Sequence, residues 1–255
     1  MRLLLVLAAI FLAAPAWSQE TATLKLRFVY DGPVIKPEPI RPDKDVEFCG
    51  KHPLVNERLL INPENKGIKN AILYVYTGRG GTKLPPQSPS NETHVLANDK
   101  CRFEPRVVFV QAGDTLKITN PDDVGHNANL NFFANQAQNI TIPPKAEKLV
   151  KIDKAEPAPI PVDCNIHPWM RAYVVALDHP FAGISDDDGA IEIKGLPAGQ
   201  QLTFRLNHEA SDGPIKEVKI DGKATELKKN LLELTLKPGV NDLGTVSIPA
   251  AALKP

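Results

Sequence analysis

The chain has 255 residues, with 30 lysine and arginine residues against 30 aspartate and glutamate residues, so its formal net charge at pH 7 is zero. This balance gives no overall field that would favour nucleic acid or an anionic membrane surface as a partner. The 24 prolines amount to about twice the average usage. Long helical periodicity is scarce, so we expect an all-β protein with many short strands joined by turns.

Residues 1–18 have the layout of a cleaved secretory signal peptide. Arg2 supplies a positive start, an apolar run follows from Leu3 to Ala14, and residues 16–18 (AWS) form a small-x-small cleavage site. The apolar run is shorter than the ~20 residues that a membrane span needs. We therefore expect a periplasmic or secreted protein with no membrane span after signal removal. A short membrane anchor is the alternative interpretation.

Apolar runs predict strands along the rest of the chain. The region 19–104 has two, separated by irregular, proline-rich stretches, and we expect it to pack on the next region as a β region with insertions. The region 105–178 has four predicted strands. After residue 178 a new series of turns and alternating apolar runs begins. The five short strands predicted in 179–255 suffice for a second small sandwich. The alternative is that the strand 23–30 belongs to this C-terminal sandwich, which would make the module 105–178 an insertion. The predicted strands are 23–30, 71–76, 107–110, 115–119, 148–152, 171–177, 190–193, 202–206, 216–220, 231–236 and 244–248.

Residues 164–170 (CNIHPWM) place a thiolate, an imidazole and a thioether at the spacing C-x2-H-x2-M. Thiolate and thioether are soft ligands and imidazole is intermediate, a mixture that suits copper. Zinc accepts cysteine and histidine but rarely methionine. Cys164, His167 and Met170 supply three ligands, so a second histidine must come from elsewhere. His126, which follows the predicted strand 115–119, is the natural candidate.

These features resemble the cupredoxin (blue-copper) family, particularly its amicyanin and plastocyanin type. Such proteins carry an early His-Asn pair at a strand end, then a short C-x2-H-x2-M loop that leads into a final hydrophobic strand, here RAYVVAL at 171–177. The resemblance implies a Greek-key β-sandwich in 105–178. It also implies one copper ion, cycling between Cu(I) and Cu(II), with the ligands His126, Cys164, His167 and, as the weak axial ligand, Met170. Asn127 would tie the two ligand-bearing segments together by hydrogen bonds.

The chain departs from this family immediately before the ligand loop. Val162 stands where an aromatic residue is common, and residues 157–161 (PAPIP) form the approach to Cys164. Proline cannot donate to a sheet ladder, so we predict that this approach is an edge strand or a bent segment.

The three cysteines allow three pairings. In an oxidising compartment disulfides are favoured, and an odd count leaves one cysteine without a disulfide partner. Because Cys164 is assigned to the metal, we predict a disulfide between Cys49 and Cys101. Two buried thiols are the alternative. The four histidines outside the predicted site are interpreted as surface or turn residues, namely His52, His94, His179 and His208.

The resemblance predicts single-electron transfer to or from a redox protein such as a c-type cytochrome or a dehydrogenase. We expect the electron to leave through the edge of His167, beside an apolar docking patch formed by Pro168 and Trp169. Ordinary packing is the alternative role for Trp169.

An enzyme is not expected. Copper oxidases and nitrite reductases need His-x-His or His-Cys-His clusters, which the sequence lacks, and it has no G-x-S-x-G or H-E-x-x-H motif. The alternative function is a non-redox copper-binding or scaffold protein of the cell envelope. The region 179–255 favours that alternative, since its D-x-x-G-x-I-x-I-x-x-L-P-x-G pattern is similar to transthyretin-like and carboxypeptidase-regulatory sandwiches.

Overall fold

The computed structural model describes residues 20–255, and the predicted signal peptide lies outside this range. Within it, the protein is all-β, and no helix is long and apolar enough to cross a membrane. The helices are α1 (Val46–Cys49) and a 3-10 turn at Ala250–Ala252. The strands are β1 (Thr21–Asp31), β2 (Ile72–Val75), β3 (Thr93–Asp99), β4 (Arg102–Glu104), β5 (Val107–Gln111), β6 (Thr115–Thr119), β7 (His126–Leu130), β8 (Gln138–Ile142), β9 (Glu147–Lys151), β10 (Ile160–Asp163), β11 (Arg171–Leu177), β12 (Ala182–Ile184), β13 (Ala190–Pro197), β14 (Gln201–Asn207), β15 (Glu217–Ile220), β16 (Lys223–Glu226), β17 (Leu231–Thr235) and β18 (Gly239–Pro249).

The strands form four sheets that make two sandwiches. In one, the sheet β5-β11-β10-β7-β8 and the sheet β4-β3-β6-β9 share a buried apolar cluster. In the other, the sheet β13-β1-β18-β15-β16 and the sheet β12-β2-β14-β17 share a second cluster. We call the former the inserted sandwich and the latter the terminal sandwich, because strands of the latter lie at both ends of the described chain.

The region 19–104 is divided between the two sandwiches, which differs from the single region expected from the sequence. The side chains of β1 are buried at every second position, and β1 pairs with β13 on one side and with β18 on the other. β2 also joins the terminal sandwich, whereas β3 and β4 belong to the inserted one. The apolar face of β1 is therefore covered by C-terminal strands, and the inserted sandwich lies between them in sequence.

The two sandwiches meet through a small apolar cluster and a buried ion pair. The cluster joins strand β2 of the terminal sandwich to strands β5 and β11 of the inserted one. Beside it, the guanidinium of Arg106 donates from Nη2 to Oε2 of Glu209 (2.9 Å) and from Nη1 to the carbonyl of Arg171 (3.1 Å). Both partners of this ion pair are largely buried. These contacts fix where β11, the strand after the C-x2-H-x2-M loop, lies relative to the terminal sandwich.

Strand β10 lies inside its sheet, between β11 and β7, which corrects the expectation of an edge strand or a bent segment. The proline is tolerated because β10 is short and pairs with β7 over two residues only, Val162 and Asp163. Pro161 has no N–H to place in the ladder, but its carbonyl accepts the N–H of Asn131 (3.4 Å).

His179 and His208 are buried, which corrects their assignment to the surface. His208 donates from Nε2 to the carbonyl of Lys69 (3.1 Å), and its Nδ1 accepts the N–H of Ala210 (3.1 Å). Both ring nitrogens are therefore satisfied in the neutral form. Burial, together with the nearby charge of Arg106, lowers the pKa of His208 from 6.5 to about 4, although the hydrogen bond to Lys69 raises it.

We predict that His208 makes the fold less stable as the pH falls from 6.5 to 4. In that window the unfolded chain binds a proton at this histidine and the folded chain does not, so the free energy of unfolding decreases with decreasing pH. The full loss from this group is about 3 kcal/mol. Urea unfolding at pH 7.5 and pH 5 should show a smaller pH dependence for His208→Gln than for the wild type. An equal dependence in both proteins would contradict this assignment.

Candidate metal centre

Three side chains with metal-binding donor atoms converge at one end of the inserted sandwich. The donor atoms of His126, Cys164 and His167 all lie within 4.8 Å of one another, and all three side chains are buried. The Nδ1 atoms of the two imidazoles are 2.9 Å apart. Sγ of Cys164 is 3.8 Å from Nδ1 of His167. Three of the four side chains predicted as ligands therefore lie together.

Strand pairing explains why residues so far apart in sequence meet. β7 and β10 are antiparallel neighbours, with Asn129 opposite Asp163, so the residues that follow β10 run alongside β7 towards its first residue. His126 is the first residue of β7, and Cys164 directly follows β10. β11 returns along β10, so the loop 164–170 is held at the same edge of the sheet.

Met170 ends this loop and is buried. Its N–H donates to the carbonyl of His167 (2.9 Å), and its own carbonyl accepts the N–H of Cys164 (3.2 Å). Its side chain belongs to the same apolar cluster as Cys164. The loop is thus closed on itself by backbone hydrogen bonds, and the role of Met170 as an axial ligand stays a prediction.

In each imidazole, the ring nitrogen Nε2 is hydrogen-bonded to a carboxylate. Nε2 of His126 donates to Oδ2 of Asp122 (2.9 Å), and Nε2 of His167 donates to Oδ2 of Asp45 (2.8 Å). Neither acid is among the residues predicted from the sequence. Asp122 precedes His126 by four positions in the same turn, which is a usable signal. Asp45 is 122 positions from His167 and has no sequence signal that links it to the site.

The two carboxylates determine which ring nitrogens are free. A carboxylate oxygen accepts a hydrogen bond, so each Nε2 carries the proton of a neutral imidazole and each Nδ1 carries a lone pair. The lone pairs of His126 and His167 face each other at 2.9 Å, beside the sulfur of Cys164. Such an arrangement is repulsive without a cation or a proton between the nitrogens. Histidines that bind metals commonly donate their other N–H to a carboxylate, so this donor set fits a metal ion.

The surroundings of Cys164 favour its thiolate form. Burial raises the pKa of this thiol, but in the metal-free site hydrogen bonds donated by the imidazoles of His126 and His167 when protonated, and by backbone N–H groups, lower it from 9.0 to about 6. For His126, burial lowers the pKa, and the hydrogen bonds that the protonated ring donates to Asp122 and Cys164 raise it by more. The thiolate is the form that binds metals, so the site supplies the soft ligand in its reactive state.

Asn127 lies where the predicted tie between the two ligand segments requires. Its Oδ1 accepts the backbone N–H groups of Asn165 (2.7 Å) and Ile166 (3.2 Å), and Sγ of Cys164 is 3.5 Å away. Its Nδ2 donates to Oδ1 of Asn139 (2.7 Å), on the neighbouring strand β8. One side chain therefore connects the start of β7, the C-x2-H-x2-M loop and β8.

The edge of His167 is covered, which corrects the expectation that it is exposed. Its side chain is 0% exposed, and its Nε2 is bonded to Asp45. Trp169 is half-buried: its ring lies 5.1 Å from that of His167, and its Nε1 donates to the carbonyl of Cys101 (3.0 Å). Pro168 and Ile166 are exposed. Trp169 thus packs against the ring of His167 and the turn at Cys101.

Cys49 and Cys101 form a disulfide, and Cys164 carries a free thiol. A second group of possible ligands within residues 20–255 combines Cys101, Asp122 and His126. The sulfur of Cys101 is committed to the disulfide, so this group offers no thiolate. Within the described part of the chain, the group with a free thiolate is therefore the one at Cys164.

No protein-family model and no curated protein matches the chain. Among solved structures, it is similar to the copper-containing nitrite reductase from Thermus scotoductus SA-01, with 16% identity, a TM-score of 0.30, and coverage of 39% of this chain and 24% of that one. A methionine-to-glutamine variant of amicyanin in the Cu(I) state has 21% identity, a TM-score of 0.30, and coverage of 33% and 81%. A purple cupredoxin from Nitrosopumilus maritimus has 16% identity, a TM-score of 0.28, and coverage of 33% and 97%.

These solved structures are cupredoxins or contain copper, by their own descriptions, and the likeness covers about a third of this chain in two of them and 39% in the third. The chain spans 24% of the length of the nitrite reductase. The assignment of the site therefore depends on the geometry of its residues.

We predict that Asn127→Ala loosens the C-x2-H-x2-M loop even without metal. The change leaves two backbone N–H groups of the loop without their acceptor, and the free energy of unfolding should fall by about 1–3 kcal/mol. Urea unfolding of the metal-free protein measures this loss. Asn129→Ala is the matched control, because Asn129 is a half-buried asparagine two positions along the same strand that lies opposite Asp163 of β10. Equal losses in the two variants would contradict the assigned role.

Proposed function

We propose that the chain is an exported blue-copper protein that binds one copper ion and carries single electrons between redox partners. The observation that carries the proposal is the convergence of two imidazole Nδ1 atoms and one thiol sulfur, with both Nε2 atoms bonded to carboxylates. The proposed ligands are His126, Cys164, His167 and, more weakly, Met170.

The chemistry of the donor set favours copper over zinc. Two histidines and one cysteinate with a weak methionine are the ligands of blue-copper electron-transfer sites. Structural zinc sites use four cysteine or histidine ligands, and catalytic zinc sites use cysteine, histidine or a carboxylate and keep a position for water. Here the fourth side chain on the loop is Met170, which is apolar and buried.

Bound copper would supply a one-electron couple between Cu(I) and Cu(II). The protein contributes rigidity: His126 is fixed by a strand, and Cys164 and His167 are fixed by a loop whose two ends are joined by backbone hydrogen bonds. The buried setting limits water at the site. A site that keeps the same geometry in both oxidation states exchanges electrons with little rearrangement.

A redox partner would dock at the exposed part of the loop 164–170. Asn165, Ile166 and Pro168 are exposed there, directly beside the buried His167. A transient contact between redox proteins needs only a small interface. We propose a c-type cytochrome or a dehydrogenase as the partner, in the periplasm or outside the cell, in keeping with the predicted signal at 1–18.

The terminal sandwich favours the second candidate function, a non-redox copper-binding or scaffold protein. It has its own apolar core and joins the inserted sandwich through the buried Arg106–Glu209 pair. That arrangement suits a module that positions the copper sandwich against another envelope component. Voltammetry of the copper-loaded protein separates the two: a reversible one-electron wave with constant copper content supports electron transfer, and copper loss on reduction supports metal carriage.

We predict that adding Cu(II) to the purified protein gives an intense visible absorption from the thiolate to copper. The band should disappear in Cys164→Ser, because serine removes the soft sulfur ligand. His52→Gln is the control, since His52 lies outside the proposed ligand set and the band should remain. Absence of colour in the wild type, or unchanged colour in Cys164→Ser, would refute the proposed function.

A further inference from the structure

A segment remote in sequence closes the outer edge of the candidate metal centre. Residues 41–52, here called the cap, contain α1 and lie against the inserted sandwich, where Phe48 packs on its apolar cluster. Oδ2 of Asp45 accepts the Nε2–H of His167 (2.8 Å). The side chain of Asp45 is 41% exposed, whereas that of His167 is 0% exposed. Asp45 therefore stands between the buried imidazole and solvent.

The carboxylate of Asp45 does not serve the helix that follows it. Asp45 is the N-cap residue of α1, a position where aspartate usually accepts a backbone N–H of the first turn. It makes no such side-chain bond here. Its backbone carbonyl accepts the N–H groups of Phe48 (2.9 Å) and Cys49 (2.8 Å) instead. The side chain is left free for His167, and the backbone holds it there.

The backbone of Asp45 is in the left-handed region, with φ 45° and ψ 43°. Aspartate, asparagine and glycine tolerate this conformation better than other residues. The turn that aims the carboxylate at His167 is therefore one that Asp45→Asn and Asp45→Gly can both keep.

The disulfide fastens the cap to the part of the sandwich that holds the other imidazole. Cys49, at the end of α1, is bonded to Cys101, between β3 and β4. The N–H of Cys101 donates to Oδ2 of Asp122 (2.8 Å), the same oxygen that accepts from His126. Both imidazole–carboxylate pairs are thus linked through one covalent bridge.

Without Asp45, the Nε2–H of His167 would be a buried donor that faces no acceptor among its present contacts. The ring could then rotate, because the contacts of its Nδ1 are with the other proposed ligands, His126 and Cys164. Carboxylates behind ligating histidines fix the ring orientation and raise the basicity of the ligand, and their loss typically weakens metal binding 10–100-fold.

We propose that Asp45 is a positioning residue for the metal centre, and that the disulfide-fastened cap retains the metal by holding His167 in its ligating orientation. The proposal rests on the proposed function, because it takes His167 as a ligand. Two consequences follow for the copper-loaded protein. Copper is retained more tightly than without the cap, and the negative charge of Asp45 stabilises Cu(II) over Cu(I), which lowers the reduction potential.

The test compares Asp45→Gly, Asp45→Asn and the control Asp43→Asn. Asp43 is an exposed acid two positions away on the same cap. The readouts are the affinity for Cu(II), measured by competition with a chelator, and the reduction potential. We expect Asp45→Gly to weaken Cu(II) binding at least tenfold. Asp45→Asn should retain much of the affinity, because its amide oxygen still accepts the Nε2–H, but its potential should shift to more positive values.

Asp43→Asn should match the wild type in both readouts, because it removes the same charge without touching His167. Wild-type affinity and potential in Asp45→Gly would overturn the proposal while leaving the copper site intact. Equal effects of Asp43→Asn and Asp45→Asn would also overturn it, since the cause would be general charge. If the wild-type protein binds no copper, the proposed function fails together with the role of Asp45. If the wild type binds copper and the Asp45 variants match it, only the role of Asp45 fails.

Discussion

The candidate site depends on the antiparallel pairing of β7 with β10. This pairing directs the residues that follow β10 along β7 towards its first residue, and so places His126 within reach of Cys164. A shift of the register by one residue would turn His126 to the other face of the sheet. The register is held by apolar side chains of the inserted sandwich, among them Leu130 and Val162, which lie opposite each other and are fully buried. The geometry of the donor atoms is therefore a consequence of core packing.

Hydrogen bonds then orient the side chains that the strands bring together. Asp122 and Asp45 each hold one imidazole by Nε2, and Asn127 joins the β7 segment to the loop. Core packing brings the three donors together, and hydrogen bonds determine which nitrogen of each ring faces the thiol.

The sequence predicted the part of the site that is local in the chain. The spacing of Cys164, His167 and Met170 was visible because one loop carries all three, and His126 was visible as a histidine at a strand end. Strand β1 was predicted within two residues at each end, because its alternation is regular. The partner of that strand was left open, since an alternating pattern states which side is buried but not which strand lies next to it.

Asp45 and the burial of His167 could not be predicted for the same reason. The contact joins a short helix to a loop more than a hundred positions away, and nothing in residues 41–52 marks an aspartate that faces an imidazole. The disulfide was predicted by elimination among three cysteines, but its role in fastening this segment emerged only from the fold. The partial burial of Trp169 likewise follows from a contact distant in sequence, the hydrogen bond from its Nε1 to the carbonyl of Cys101.

X-ray absorption at the copper edge of the Cu(II)-loaded protein tests the central claim most directly. The account predicts one short copper–sulfur distance together with two imidazole nitrogens in the first coordination shell. A first shell made of nitrogen and oxygen alone, with no sulfur, would contradict it.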